Sequence, residues 1–288
     1  MTDHANEKNY RWNFTVNLLD GASYWFGMGF VSTSTIYPLF ISKLTSSLLP
    51  IGLLSLIMSA GWFIPQLFSA RITEKYPKKK TIVVGWGLFL ERFPLILMVV
   101  SAFLAQKQPT LALVLFMILL TWWTLGAGVV APAWMGMLAK IFSPEKRGSF
   151  LGTTMFLGSG IGILGSAFGA RLLDRLTFPN SFIALFGIAA ACILLSWVFL
   201  SLTREPEIKE TVHEQEWGSY KKDLLRILSE DQNFRAFIIS NIILTLGGMG
   251  VGFVTISAIQ RFQVPDAMVG YFTLVMLVGQ TAGNLVLG

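Results

Sequence analysis

Two adjacent charged residues, Glu91 and Arg92, stand in the middle of an apolar run over residues 81–104. If a helix starts near Thr81, they lie about 15 Å along it at about 1.5 Å per residue, close to the midplane of a bilayer. A charge at that depth costs roughly 2.5–3.5 kcal/mol on insertion scales, so each must face protein or water. Successive side chains on an α-helix do not face each other. The spacing therefore predicts that the two do not neutralise one another and that each has a separate interior partner. Binding of a solute or ion is one use for such a pair; a structural ion pair between helices is the other.

Other chemistry has little to work with. Cys192 is the single cysteine, and His4 and His213 lie far apart, so no metal-ligand cluster can be drawn. Hydrolysis or phosphoryl transfer would need a nucleophile with a base, a metal site or a phosphate loop; none is present, and no enzyme and no cofactor is expected. Gly160-Ile161-Gly162-Ile163-Leu164-Gly165 spells a dinucleotide fingerprint but sits inside an apolar helix rather than between a strand and a helix. Gly158 with Gly162, and Gly165 with Gly169, are read as small residues that let helix backbones approach. Trp122 and Trp123 could stack on a solute, though such aromatics more often fill helix interfaces. Asn13-Phe14-Thr15 is a glycosylation sequon on the side expected to be cytoplasmic.

The elements that would position these residues are membrane spans. Of 288 residues 53% are hydrophobic and 13% charged, against about 25% charged in soluble domains, and the mean hydropathy is +0.62. Eight spans of about 20 apolar residues can be drawn, roughly 18–40, 51–70, 81–104, 110–139, 149–172, 181–202, 236–258 and 268–288. The class is all-α and polytopic; short alternating segments of a β-barrel are absent. No cleavage site follows the first apolar run, which is read as a retained helix.

Connections holding Lys8, Arg11, the cluster Arg71, Lys75, Lys78, Lys79 and Lys80, the group Lys140, Lys146 and Arg147, and the stretch after Thr203 carry sixteen Lys and Arg; the alternate connections carry five. That excess predicts a cytoplasmic N-terminus and a cytoplasmic 70–80 loop, in an integral protein of the plasma (inner) membrane. The net charge of +6 is then attraction to anionic lipid heads, not to nucleic acid. Three parts are expected: 1–203 with six spans, a polar linker 204–234, and 235–288 with two. In the linker Trp217, Tyr220, Leu224, Leu225 and Leu228 recur at helical spacing, which predicts a helix on the membrane surface or one that binds a partner.

An internal repeat supports this division. Ile51–Ala70 aligns without gaps on Val269–Gly288, and Gly27–Ser34 on Gly250–Ser257. Six spans separate the copies, which makes the repeat parallel.

These features resemble the major facilitator superfamily of secondary transporters, with two six-helix halves. Its loop pattern between helices two and three, Gly-x-Leu-Ala-Asp-Arg-x-Gly-Arg-Lys, falls on Ala70, Ile72, Glu74, Lys75, Pro77, Lys78 and Lys79. Charges are kept and both glycines are lost. Gly126, Gly128 and Pro132, followed by a loop Pro144-Glu145-Lys146-Arg147-Gly148, resemble the helix-four pattern and its Pro-x-x-Arg-Gly turn; Trp122 stands where the family has a coupling arginine. Gly165-Ser166-Ala167-Phe168-Gly169-Ala170 partly resembles the antiporter pattern of helix five.

The resemblance implies a six-helix N-terminal bundle plus the first two helices of a second, secondary active transport of a small solute by alternating access, and a co-transported ion as a further partner. It implies a cytoplasmic gate motif of Ala70, Glu74, Lys75, Pro77, Lys78, Lys79, Arg147 and Gly148, in which Glu74, Lys75 and Arg147 latch the halves. Helix one lines the cavity in the family, so Asp20 and Tyr24 join Glu91 and Arg92 as candidate binding residues; helix three lies outside that cavity. Gly288 is the counterpart of Ala70, so the chain is expected to stop short of a complete transporter and not to transport unaided. The alternative function is a non-transporting membrane scaffold.

Overall fold

The structure is a computed structural model that describes residues 2–206, 226–248 and 250–287. The described residues are helices and turns, without a strand. Trp217, Tyr220, Leu224 and Leu225 of the expected surface helix lie outside them.

Helix α1 is Thr2–Phe30, α2 Ile36–Leu44 and α3 Leu49–Glu74. Two π-helical stretches, Thr81–Trp86 and Leu88–Arg92, lead into α4, Phe93–Leu104. Then come α5 Pro109–Ile141, α6 Pro144–Arg175 and α7 Asn180–Ser201. Beyond the linker are α8 Gln232–Gly248, α9 Gly250–Phe262 and α10 Asp266–Leu287. Among the described residues, five helical segments are long and apolar enough to cross a membrane: Leu49–Glu74, Thr81–Leu104, Pro109–Ile141, Pro144–Arg175 and Asn180–Ser201.

Two sequence expectations change. The first span, drawn as 18–40, is broken between Phe30 and Ile36. Pro38 cannot donate to the carbonyl of residue 34, and Ser32 instead accepts the backbone N–H of both Ile36 and Tyr37, each at 3.0 Å. Pro144–Gly148, expected as a loop, is the first turn of α6. Extended Ser143, Pro144 at the first position and Glu145 in the first turn are helix-start signals.

Close backbone approach brings the helices together. Gly29 of α1 meets the Gly162 carbonyl, and a Cβ on Gly165 would stand 2.5 Å from the Phe26 carbonyl. The expected small-residue packing of α6 is thus against α1. Gly128 of α5 is seated on α3, where a Cβ would stand 2.5 Å from the Gly61 carbonyl. Between them, Tyr37, Phe40, Phe116, Phe182 and Phe186 form an aromatic core with ring centroids 5.0–6.1 Å apart, tying α2 to α5 and α7. A second aromatic group, Tyr10, Phe14, Phe142 and Phe150, closes the opposite end. α10 lies against α6, where a Cβ on Gly270 would stand 2.5 Å from Ala170 Cα.

Candidate functional site

Asp20, Tyr24, Glu91 and Arg92, from two distant stretches of sequence, meet in one buried cluster. Arg92 is 5% exposed, and its guanidinium pairs with Glu91 and lies 5.8 Å from the centre of the Tyr24 ring. Its charge also reaches Asp20. Asp20 is buried on α1 and accepts a hydrogen bond from Ser196 Oγ of α7 at 2.5 Å.

Pairing of Glu91 with Arg92 corrects the expectation that neighbours on a helix would not meet. The reason is the winding. A π turn takes in more residues than an α turn, which closes the angle between successive side chains. Pro94 has no N–H to give the Leu90 carbonyl, and that carbonyl packs instead against Gly126. Val84, in the first π stretch, accepts from Trp197 Nε1 at 2.9 Å. Sequence reasoning missed Ser196, which reads as one small polar residue in an apolar run; the signal was the need of a buried Asp20 for a donor.

In charge, the cluster sets two carboxyls against one guanidinium. Arg92 Nε is buried with no hydrogen-bond partner among the described residues. Trp122 packs on Phe93 at 5.9 Å, and Trp123 is buried in the aromatic core.

At the α2 end, the first seven helices meet α9 and α10. Thr35 and Thr273 share a hydroxyl–hydroxyl hydrogen bond. Thr255 Oγ1 donates to the Ser34 carbonyl at 3.1 Å, and Lys43 pairs with Asp266 at 2.8 Å. The break between α1 and α2 supplies Ser34 and Thr35 to this seam. At the opposite end α8 stands open, with Ile239, Ile242 and Ile243 51–62% exposed.

The 70–80 loop is held at that opposite end. Glu205, just past α7, accepts the backbone N–H of Lys79 at 3.0 Å and of Lys80 at 2.7 Å. A carboxylate thus occupies the positive N-terminal end of the helix that starts at Thr81. Lys140 Nζ lies 3.7 Å from Glu205 and donates to the Pro77 carbonyl at 2.8 Å. Lys79 Nζ donates to the Thr73 carbonyl at 2.8 Å and the Glu74 carbonyl at 3.3 Å, closing the end of α3. Burial pushes the Lys80 ammonium below the ordinary lysine value, against the pull of Glu205.

Of the remaining motif residues, Ala70 gives its carbonyl to Thr73 Oγ1 at 2.7 Å, while Pro77 and Lys78 are exposed on the loop. Arg147 Nη2 donates to the Ala139 and Phe142 carbonyls at 3.3 and 3.5 Å, and Gly148 faces open space. Among the described residues the side chains of Glu74 and Lys75 make no hydrogen bond or ion pair and do not meet Arg147. Glu205 was missed because it opens a run of similar acids.

A bundle of bilayer-length helices around a buried charge cluster is the build of an integral multi-pass membrane protein of the transporter class. Residues 22–288 match the Major Facilitator Superfamily, and the chain belongs to that family. No curated protein matches the chain. Membership makes it a transmembrane transporter in general terms, in a family that is generally non-enzymatic, with the lipid bilayer as its surroundings.

Proposed function

We propose that the protein is a secondary transporter that moves a small solute by alternating access, with a co-transported cation or proton carried by the Asp20–Glu91–Arg92 cluster. The observation that carries this reading is the charge balance of the cluster. With all three groups ionised, one negative charge is uncompensated, and an unpaired charge held away from water is costly. A proton or small cation removes that cost. Asp20 is the group to receive it, because Glu91 is already bonded to Arg92 while Asp20 is held by a neutral hydroxyl.

Alternating access follows from the distribution of contacts. The seam of Thr35, Lys43, Thr255, Asp266 and Thr273 closes the α2 end, while among the described residues α8 is not closely packed against the first seven helices at the 70–80 end. In the orientation set by the Lys and Arg excess, this is a shape open to the cytoplasm, with the N-terminus inside and the plasma membrane as its place. Lys75, exposed, and Arg147, half-buried at the start of α6, keep a gating role in this reading as the cations on which the halves would close when the α2 seam parts, with Glu74 as their counter-charge.

The test is solute-driven proton movement in liposomes carrying a pH dye, over a broad solute panel. In a form that also carries the rest of the second half, saturable flux that is lost in Asp20→Asn is expected. Equal flux in Asp20→Asn would remove the coupling role. Single cysteines at Lys75 and Lys107, with Cys192 replaced, test the orientation with an impermeant thiol reagent. Labelling of position 107 but not 75 in intact cells is expected, and the reverse pattern inverts the topology.

A further inference from the structure

We propose that the cleft between the start of α1, the α5–α6 turn and the segment after α7 binds a phosphate group, delivered by the headgroup of an anionic phospholipid. The cleft has a volume of about 500 Å³ and is lined by Asn9, Tyr10, Lys140, Lys146 and Arg204, among others. Among the described residues its charge is one-sided. Glu205, its acidic residue, already accepts from two backbone N–H groups and faces Lys140. Lys146 and Arg204 form no ion pair with a carboxylate among the described residues.

Both cations are held in place by aromatic faces. Lys146 Nζ lies 4.2 Å from the centre of the Tyr10 ring, and the Arg204 guanidinium 4.7 Å from that of Trp12. Arg204 Nη1 also donates to Asn9 Oδ1 at 3.4 Å. Stacking of this kind leaves the in-plane donors of the guanidinium free and pre-positioned for an oxyanion. Ser143, at the N-terminal end of α6, is on the same wall, so the positive end of a 32-residue helix adds to the field.

Position favours a lipid source. Tyr10 and Trp12 precede the apolar part of α1, and Trp12 and Leu202 are 39% and 44% exposed beside the cleft. Aromatic residues at such a changeover sit at headgroup level, where basic pockets between helices take anionic lipid heads. The segment this ligand would brace is the one that carries Glu205. Asn13 already ties it to α1, accepting from Arg204 N at 2.8 Å and donating to the Arg204 carbonyl at 2.9 Å. Bound lipid would therefore reinforce the hold of Glu205 on the 70–80 loop. The inference rests on membrane embedding alone and not on the transport reading.

The experiment titrates the purified protein in zwitterionic detergent micelles with phosphatidylglycerol, phosphatidylcholine or inorganic phosphate, reading thermal stability and, by native mass spectrometry, bound lipid. Phosphatidylglycerol is expected to bind and stabilise, with about thirtyfold weaker binding in Lys146→Ala/Arg204→Ala from two lost charges at the membrane surface. Lys107→Ala, at the other end, should keep wild-type binding. Lys146→Gln alone, at an exposed position, guards against a folding defect and should lose several-fold. Phosphatidylglycerol preference unchanged in the double variant, or equal protection by phosphatidylcholine, would overturn the site. Equal protection by millimolar inorganic phosphate would overturn the lipid source and leave a soluble anion as the ligand.

Discussion

Replacing Arg92 by Gln removes the cation of the buried cluster and leaves Glu91 and Asp20, on the second π stretch and on α1, without the charge set between them. The structure sets the scale. Arg92 is 5% exposed, pairs directly with Glu91 and rests over Tyr24 at 5.8 Å. Breaking a buried pair by removing one partner costs about 3–5 kcal/mol, chiefly because the other charge stays buried. At about 2–4 °C per kcal/mol for chains of a few hundred residues, Arg92→Gln should lower the midpoint by roughly 6–20 °C. Tryptophan emission during heating in detergent reads this, since the chain has nine tryptophans. Arg92→Gln with Glu91→Gln leaves no net charge on the pair and should recover most of the loss, because contacting residues are not additive. A shift in Arg92→Gln below about 3 °C, or a double variant as poor as the sum of its singles, would refute the pairing.

Glycine substitutions separate close approach from open space. Gly126→Ala drives a methyl group into the Leu90 backbone and should cost about 1–3 kcal/mol as overpacking, whereas Gly160→Ala meets nothing within 4 Å and should be neutral or stabilising by up to about 1 kcal/mol; equal midpoints would contradict the packing of the second π stretch against α5. Glu205→Ala removes an acceptor of two backbone N–H bonds and the partner of Lys140. It should cost about 3 kcal/mol, since bonds to charged groups contribute about 1.5–3 kcal/mol each; protease cutting of the 75–80 loop should rise, and an unchanged rate would show that Glu205 does not hold it. Cysteines at Thr35 and Thr273, with Cys192 replaced, should cross-link under mild oxidation and arrest solute flux until reduced; flux at the normal rate in the cross-linked protein would show that the α2 seam need not open.

Elements that depend on composition and charge could be read directly from the residues. The apolar runs give the helices, and the basic cluster gives the turn between α3 and α4. Small-residue spacing gives the glycine face of α6, because all of these follow from the local solvent preference of the chain. Backbone winding could not be read in this way. Pro94 and Pro38 are the visible causes of the π stretch and of the α1 break, but their effect depends on which neighbour meets the freed carbonyl: Gly126 for Leu90, and the Thr255 hydroxyl for Ser34. The candidate binding residues were individually legible as charges out of place; that Asp20 and Arg92 belong together is a tertiary fact, set by α1 and α7 enclosing the π stretch. Ser196 and Glu205 carry no signal outside that arrangement, since a serine in a span and an acid in a linker are each ordinary.

The seam at the α2 end is built mostly from uncharged hydroxyls, with one half-exposed ion pair. Neutral hydrogen bonds contribute about 0.5–1.5 kcal/mol each and an exposed ion pair about 0–1 kcal/mol, so these polar contacts hold the end shut by about 1–4 kcal/mol. A gap of that size leaves the opened form populated at the level of about 0.1–15%. Such a closure behaves as a balance that a bound solute can tip, and a twentyfold preference for one shape is enough to move it by almost 2 kcal/mol. Because hydroxyls do not titrate in the physiological range, that balance point should hardly move with pH, and should move with salt only through the Lys43–Asp266 pair, leaving sensitivity to protons to the buried carboxyls.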